Sequence, residues 1–293
     1  MKIGNRDFQT ENKTYVMGIL NVTPDSFSDG GKYNRLDAAL YHAQEMIEED
    51  ADLLDIGGES TRPGHVQISD AEEIERAAPV LEAIKSRFEI PLSLDTYKSA
   101  VAEAGIAAGA DLINDIWGLK YDRIQMMDEI CRAAEKDEDR ISMAAVIAAA
   151  GIPCCLMHNR SEAVYENYLP DVFEDLRGTV RIAKEAGIAD DKIILDPGIG
   201  FGKTYEQNLI ALKNLEKFHT LGYPLLLGTS KKSVIGLTLD VPADMRGAGT
   251  IATTVLGVQA GCMFVRVHNV RENVHAVRMT EAILSAQEVQ NVY

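Results

Sequence analysis

The sequence predicts an α/β fold of the (β/α)8 TIM-barrel type, formed as a single domain over residues 1–293. Eight short apolar runs recur along the chain, and each is followed by a segment with helical spacing. This regular alternation, in a chain of this length, is the outline of such a barrel. A doubly wound parallel sheet is the alternative, but it rarely needs eight such regular units. No low-complexity segment or Pro/Ser-rich linker divides the chain.

The predicted strands are short apolar runs, which suit strands buried on both faces of a parallel sheet. In chain order they are Tyr15–Asn21, Leu53–Gly58, Pro91–Asp95, Leu112–Asp115, Ile152–His158, Ile193–Asp196, Leu225–Ser230 and Met263–His268.

The predicted helices follow from apolar residues that recur every three or four positions. Leu36, Leu40 and Ile47 mark the first helix in this way, and the pair Ser69 and Glu72 forms a capping-box pattern at the start of the second. Further helices are predicted over Ser99–Ala108, over Met143–Ala150, up to about Ala186 and up to about Ser285. Residues 119–142 are charged and irregular.

The chain is acidic, with a formal net charge of −16. Because phosphate binding needs a basic face, this charge argues against nucleic acid as a partner. No segment is long and apolar enough to span a membrane, and the N-terminus lacks a signal-peptide apolar region, so we expect a cytoplasmic protein without membrane contact. The four cysteines form no CxxC pair. Adjacent Cys154 and Cys155 are expected to face opposite sides of one strand as buried free thiols.

Polar side chains stand at the ends of nearly all predicted strands. Because the C-terminal ends of barrel strands meet on one face, where such barrels place their active sites, these side chains are expected to converge. They are Asn21, Asp55, Asp95, Asn114, His158, Asp196, Lys232, Arg266 and His268. A purely structural barrel has no need of polar groups at nearly every strand end, so this face is the predicted functional site.

The stretch Ile193–Thr204, IILDPGIGFGKT, joins the sixth strand to a glycine-rich loop. It is not a P-loop, because Pro197 stands where the first glycine of GxxxxGK[ST] is required. It is not a dinucleotide fingerprint either, because its glycines give GxGxG. Two interpretations stay open: a ligand-binding loop, or a turn in which glycines permit tight backbone dihedral angles.

Two chemically distinct sets can be recognised among the strand-end residues. Asp95, Asn114 and Asp196 are short side chains that could read the edge of a flat heterocycle rich in N–H donors and ring nitrogens. A second set could hold an anionic group, with or without a metal: Asn21, Thr61, Arg266 and His268. Since a lone Asn is a poor metal ligand, Mg²⁺ would rest mainly on substrate oxygens and water.

Four polar residues near the strand ends have simpler explanations. Asp55 and Asp115 are more readily explained as helix caps or as partners of loop amides. His158 is expected to be a core histidine with satisfied hydrogen bonds, and Lys203 a solvated loop charge. These four residues are therefore left outside the predicted site.

Seven motifs occur in the order found in the dihydropteroate synthases, and the chain resembles this family from Val16 to about Ala282. The motifs are NVTPDSFSDGG, DIGGESTRPG, SLDTYK, NDIWG, LDPGIGFGKT, LLGTSKKS and RVHNV. The related corrinoid-dependent methyltransferases share the pterin-binding barrel but lack the STRPG loop and the Ser-x-Lys-Ser motif of the seventh strand.

The resemblance implies a cytoplasmic, usually homodimeric enzyme of folate synthesis and a target of sulfonamides. Such enzymes join 7,8-dihydropterin-6-ylmethyl diphosphate to 4-aminobenzoate and release diphosphate, with Mg²⁺ contacted by Asn21. Loops Val22–Gly31 and Glu59–Gly64 close over the site. The implied pterin pocket is lined by Asp95, Asn114, Asp196 and Lys232, of which Asp95, Asp196 and Lys232 are the implied catalytic residues. The implied diphosphate contacts are Thr61, Arg266 and His268, and the implied aminobenzoate contacts are Phe27, Pro63, Phe201 and Ser233.

Three features depart from the family pattern, which usually has Arg at Lys231 and Asp at Asn269. The third is a predicted insertion over residues 121–142 after the fourth strand, since the family usually runs more directly into the next helix. Lysine keeps the charge but loses the planar fork of arginine. Asn269 removes a carboxylate near the proposed anion site. Besides a synthase, two other function classes remain open: a pterin-binding methyltransferase subunit with a corrinoid partner, and a non-catalytic pterin-binding barrel.

Overall fold

A computed structural model describes residues 1–23, 32–60, 66–122 and 141–287, and it confirms the predicted barrel. Eight parallel strands surround one axis, with helices outside them. The barrel strands are β1 (Tyr15–Asn21), β2 (Leu53–Gly57), β3 (Leu92–Asp95), β4 (Leu112–Asp115), β5 (Cys154–Met157), β6 (Ile193–Asp196), β7 (Leu226–Leu227) and β8 (Phe264–Val267). The helices are α1 (Lys32–Glu48), α2 (Asp70–Lys85), α3 (Ser99–Ala107), α4 (Met143–Ala150), α5 (Tyr168–Glu185), α6 (Tyr205–Lys213), α7 (Ser233–Leu239), α8 (Gly247–Gln259) and α9 (Val270–Leu284).

The ring closes at two places, which excludes an open doubly wound sheet. Strand β8 pairs with β1, and a parallel bridge between Leu195 and Leu225 joins β6 to the start of β7. Strand β7 is shorter than the predicted Leu225–Ser230. The two residues that follow Gly228 bond through their side chains, Thr229 to Thr253 and Ser230 to His268, instead of extending the strand ladder.

The core has two layers separated by the barrel wall. Cys154 packs with the residues between strands and helices, whereas Cys155 points into the barrel, as strand alternation predicts. An N-terminal hairpin, Lys2–Asp7, was not predicted. Ile3 and Phe8 are buried against the apolar residues inside the barrel, so this end of the barrel is closed by packing.

Helix α4 shows how local sequence sets element boundaries. The Ser142 hydroxyl accepts a hydrogen bond from the Ala145 N–H, and Gly151 ends the helix in the left-handed region at φ +62°. The predicted insertion falls mainly in residues 123–140, outside the described ranges. Its two ends meet, because Oδ2 of Asp122 accepts from the Met143 N–H at 2.8 Å. Among the helices in the described ranges, none combines the length and apolar character that a membrane crossing requires.

Candidate active site

Arg266 on β8 connects two carboxylates at the mouth of the barrel. Its Nε donates to Oδ2 of Asp55 at 2.5 Å and its Nη2 to Oδ2 of Asp95 at 2.6 Å. Within the described residues, Nη1 donates no hydrogen bond and remains available to a ligand. The two carboxylates outweigh burial and hold the pKa of Arg266 above its ordinary value, so the guanidinium is a permanent cation.

Asp55 belongs to this cluster, and the prediction that it caps a helix or binds loop amides is wrong. It is fully buried and accepts hydrogen bonds from Ser93, Asn114 and Arg266 at 2.5, 3.1 and 2.5 Å. Ser93 lies on the adjacent strand β3 and Asn114 on β4, whereas Arg266 reaches Asp55 from β8 with β1 between them, so donors distant in sequence meet at one carboxylate. For Asp115 the same prediction is confirmed, because it accepts from the N–H groups of Trp117 and Leu119.

The carboxylate of Asp95 has one buried oxygen, Oδ1, that is distinct from the one bonded to Arg266. Its Oδ1 has no hydrogen-bond partner in the part of the chain that the structure describes. Burial raises the pKa of Asp95 to about 7, with Arg266 opposing and Asp55 adding to the rise. An unpartnered carboxylate oxygen in a buried position is suited to accept a hydrogen bond from a ligand N–H.

Asp196 and Lys232 form a second polar pair beside the glycine loop. Oδ1 of Asp196 accepts from the Gly198 N–H at 2.7 Å, and Nζ of Lys232 donates to the Ile199 carbonyl at 2.5 Å. Burial raises the pKa of Asp196, partly offset by Lys232, and lowers the pKa of Lys232 to about 8, opposed by Asp196. Nζ of Lys232 also lies 4.6 Å from the centre of the Phe201 ring, a cation–π contact.

Three other predicted site residues surround this mouth. His268 follows β8, and its backbone N–H donates to Oγ of Ser230, whose hydroxyl lies 2.9 Å from the ring Nδ1. Asn21 ends β1, and a Cβ added to Gly57 would lie 3.4 Å from its Oδ1 and 3.8 Å from Cβ of Asp95. Ser233 is exposed at the start of α7.

Three predicted site residues lie outside the described ranges of the chain. They are Phe27, Thr61 and Pro63. Lys231, a departure from the family pattern, adopts φ +56°, and its backbone N–H donates to Thr250. Asn269, the other departure, is exposed and precedes α9.

A buried ion cluster that the sequence analysis missed lies behind the site. Nζ of Lys98 is 2.6 Å from Oε2 of Glu59, 2.8 Å from Oε2 of Glu73 and 2.7 Å from the Ile68 carbonyl, and the lysine side chain is fully buried. Tyr97 also donates its hydroxyl proton to Glu59. The available indication was a lysine three residues after the end of an apolar strand, in the SLDTYK motif.

The predictions for the two residues assigned simple roles near the fifth and sixth strands have different outcomes. His158 is fully buried with both ring nitrogens engaged, which confirms it as a core histidine. Lys203 is not a solvated charge. Its Nζ binds His158 and two carbonyls of its own loop.

Comparison with known proteins agrees with this architecture. The model of the family described as pterin binding enzyme matches residues 17–268. Dihydropteroate synthase of Clostridium beijerinckii is 55% identical over 285 residues, covering 97% of this chain and 99% of that protein. A Clostridium difficile dihydropteroate synthase, crystallised in the presence of pteroic acid, aligns with a TM-score of 0.85 at 45% identity over 96% of this chain and 100% of that one.

A dihydropteroate synthase of Xanthomonas albilineans with 4-aminobenzoic acid aligns with a TM-score of 0.83 at 38% identity, covering 94% of each chain. These likenesses extend over nearly the whole sequence and include the barrel strands that carry the polar cluster. The chain therefore belongs to the pterin binding enzyme family and, within it, to the dihydropteroate synthases, the transferases of folate biosynthesis.

Proposed function

We propose that this enzyme joins 7,8-dihydropterin-6-ylmethyl diphosphate to 4-aminobenzoate at the barrel mouth, forming 7,8-dihydropteroate and releasing diphosphate. The observation that carries the proposal is the bonding of Arg266 to both Asp55 and Asp95. It brings a cation for an anionic leaving group next to acceptors for a heterocycle. The relatives with pteroic acid and with 4-aminobenzoic acid support the product and the second substrate.

The pterin is proposed to bind between the carboxylates of Asp95 and Asp196. Oδ1 of Asp95 and the buried carboxylate of Asp196 accept from the N–H donors of the ring, and Lys232 donates to its acceptors. Asn114 offers its amide oxygen, since its Nδ2 is already bound to Asp55. The flat edge of the pterin thus meets donors and acceptors from four different strands or loops.

The leaving diphosphate is proposed to lie towards Arg266, His268 and Thr61. Nη1 of Arg266 donates to none of the described residues. The ring of His268, whose Nδ1 lies 2.9 Å from Oγ of Ser230, stands beside it at the end of β8. Arg266 is 17% exposed, so it remains reachable.

The mouth of the barrel offers Mg²⁺ a protein oxygen, and substrate and water oxygens would complete its coordination. No group of three or more His, Cys, Asp or Glu side chains suited to a metal occurs within the described ranges. Asn21 supplies a single amide oxygen at the mouth. Mg²⁺ often binds through few protein oxygens together with substrate phosphate and water. Asn21 and the diphosphate would hold it, where it would neutralise charge on the departing group.

The chemistry suits the protein groups at the mouth. The diphosphate leaves with the electron pair of the carbon–oxygen bond, and the electron-rich ring takes up the positive charge. Asp95 and Asp196 stabilise that cation electrostatically, while Arg266 and His268 receive the leaving anion. The aniline nitrogen then attacks the methylene carbon with its lone pair and loses its surplus proton. Phe201, Ser233, Phe27 and Pro63 are proposed to border that amine.

The enzyme is also proposed to be cytoplasmic and homodimeric. Helices α6, α7 and α8 enclose an apolar groove of about 600 Å³ on the outer face of the barrel. Leu256 in this groove is 47% exposed, and neighbouring Leu237 on α7 is 67% exposed. A second copy of the chain covering this face would remove that apolar area from water.

One assay tests the proposed reaction. The purified protein is incubated with the dihydropterin diphosphate and Mg²⁺, and diphosphate release is followed with and without 4-aminobenzoate. Release that depends on 4-aminobenzoate is expected. A corrinoid-dependent methyltransferase subunit or a non-catalytic barrel would release none, so an absent or aminobenzoate-independent signal would refute the proposal.

A further inference from the structure

We infer that Lys203 is a positioning residue for the pterin pocket: its ammonium group fixes the loop Gly198–Phe201, and this loop holds Asp196 and Lys232. The inference rests on the proposed function, because Lys203 is argued to support the pocket that is proposed to bind the pterin. Lys203 follows the loop in the chain and acts on the pocket through it. It can therefore orient the pocket without contacting the substrate itself.

The ammonium group of Lys203 has all its hydrogen-bonding capacity engaged. Nζ lies 2.9 Å from the carbonyl oxygen of Gly198, 3.0 Å from that of Phe201 and 2.8 Å from Nδ1 of His158. A lysine ammonium has three N–H donors and no acceptor, so the three partners use it completely. One cation therefore ties both ends of the loop to strand β5 through His158.

His158 is itself held as a fixed acceptor. Burial lowers the pKa of Lys203 to about 7, with Asp196 opposing the shift. In its ammonium form Lys203 can only donate, so Nδ1 of His158 accepts and the proton is on Nε2, which donates to Oδ2 of Asp175 at 3.0 Å. Burial lowers the pKa of His158 to about 4, which keeps the ring neutral. Arg160 donates from Nε to the same oxygen of Asp175 at 2.7 Å. The anchor of Lys203 is thus a rigid chain of hydrogen bonds.

The loop that Lys203 ties down contacts both members of the second polar pair. Its Gly198 N–H donates to Asp196, and its Ile199 carbonyl accepts from Lys232. Its Phe201 ring lies against the ammonium of Lys232 at 4.6 Å. A shift of this loop would displace the carboxylate and the ammonium that are proposed to bind the pterin.

The glycines of the loop permit its shape but do not select it. Gly198 and Gly200 in the loop have φ of +71° and +87°, and Gly202 directly after it has φ +52°, in the left-handed region that side chains disfavour. A Cβ at Gly198 would lie 1.9 Å from the carbonyl oxygen of His158. Because glycine has the largest choice of backbone conformations, a loop of this composition needs external hydrogen bonds to stay in one of them. Lys203 provides two of them, at Gly198 and Phe201, and Asn208 provides another by accepting from the Gly200 N–H at 2.6 Å.

The test is Lys203→Met, which keeps the stem of the side chain and removes the ammonium group, with Lys217→Met at an exposed lysine as the matched control. Affinity for 7,8-dihydropterin-6-ylmethyl diphosphate is measured by calorimetry with Mg²⁺, together with the thermal midpoint. We expect Lys203→Met to weaken binding about tenfold to a hundredfold, since misplacement by about 1 Å carries penalties of this size. Lys217→Met should bind as the wild type does.

A double-mutant cycle separates positioning from a general loss of structure. In an Asp196→Asn background the effect of Lys203→Met should shrink to less than about threefold, because the group that the loop orients is already impaired. Unchanged affinity of Lys203→Met, or an equal loss in both backgrounds, would overturn the inference. If Lys203→Met does not fold, Lys203→Gln replaces it, and wild-type affinity of that variant would overturn the inference as well. A wild-type protein that fails to bind the pterin would instead refute the proposed function.

Discussion

Nη2 of Arg266 on the last barrel strand lies 2.6 Å from Oδ2 of Asp95 on the third. The same guanidinium is shared with Asp55, so one cation faces two carboxylates. Because the cation is divided between them, burial and the charge of Asp55 outweigh it, and the pKa of Asp95 stays near 7. The site is therefore balanced so that Asp95 changes its charge close to neutral pH.

The first prediction concerns stability and pH. Asp95 has a pKa of about 7 in the folded protein, whereas an aspartate in an unfolded chain has a pKa of about 4. Between these values the folded state holds the extra proton, so this group's contribution to the free energy of unfolding is greatest in acid and falls as pH rises through 7. Urea unfolding of the wild type and of Asp95→Asn at pH 5 and pH 8 should show it.

Titrating groups that do not interact with Asp95 cancel in that comparison, so the difference between the two proteins is the quantity to follow. The wild type minus Asp95→Asn difference in the free energy of unfolding should be larger at pH 5 than at pH 8, by an amount on the order of a few kcal/mol. A difference that is independent of pH would show that Asp95 does not hold this proton.

The second prediction concerns pterin recognition by Asp196. Asp196→Asn keeps the size of the side chain and removes its charge. Pterin binding should weaken by about 1–3 kcal/mol, the range for an unmatched charge-assisted hydrogen bond. Calorimetry measures this, with exposed Asp191→Asn as the matched control. Equal pterin affinity in Asp196→Asn and the wild type would count against the assignment.

The third prediction concerns the buried ion cluster. Lys98→Met leaves Glu59 and Glu73 facing each other without their shared cation. Removing one partner of a buried ion cluster costs about 3–5 kcal/mol. Lys184 is the matched control, since its ion pair with Asp190 is about half exposed, and Lys184→Met should cost at most about 1 kcal/mol. Similar urea midpoints for both variants would be inconsistent with a closed, desolvated cluster.

The fourth prediction concerns the order of substrate binding. Thr61 is proposed to contact the diphosphate and Pro63 to border 4-aminobenzoate, two residues apart. Binding of the first ligand should therefore promote binding of the second, a positive coupling between sites. Aminobenzoate is titrated with and without pterin, diphosphate and Mg²⁺, and Thr61→Ala should reduce this coupling more than it reduces pterin affinity. Equal aminobenzoate affinity in both conditions would favour a preformed second pocket.

The fifth prediction concerns the proposed dimer. Leu256→Glu places a charge in the apolar groove and should convert the dimer to a monomer in sedimentation experiments. Met279→Glu is the control, because Met279 on α9 is 62% exposed and lies outside the groove. If Leu256→Glu sediments like the wild type, the groove is not the contact between copies.

The sequence by itself determined the barrel and the main polar residues of its mouth. Strand-length apolar runs that alternate with helical segments predict a (β/α)8 barrel. The period-two alternation of a strand correctly placed Cys154 and Cys155 on opposite faces of β5. Because parallel strands all end at one face, residues such as Asp95 and Arg266 could be expected to meet without any knowledge of contacts.

Only the tertiary structure decided which partners each polar group takes. Asp55 bonds Ser93 on the adjacent strand and also Asn114 and Arg266, each two strands away, a choice set by strand register and by the closure of the barrel. Lys203 likewise turns inward because His158, 45 positions away in the chain, supplies an acceptor behind the glycine loop. Sequence spacing determines which side chains reach the mouth of the barrel. Hydrogen bonding between distant segments decides how they are held, because a buried polar group must find its partner in space.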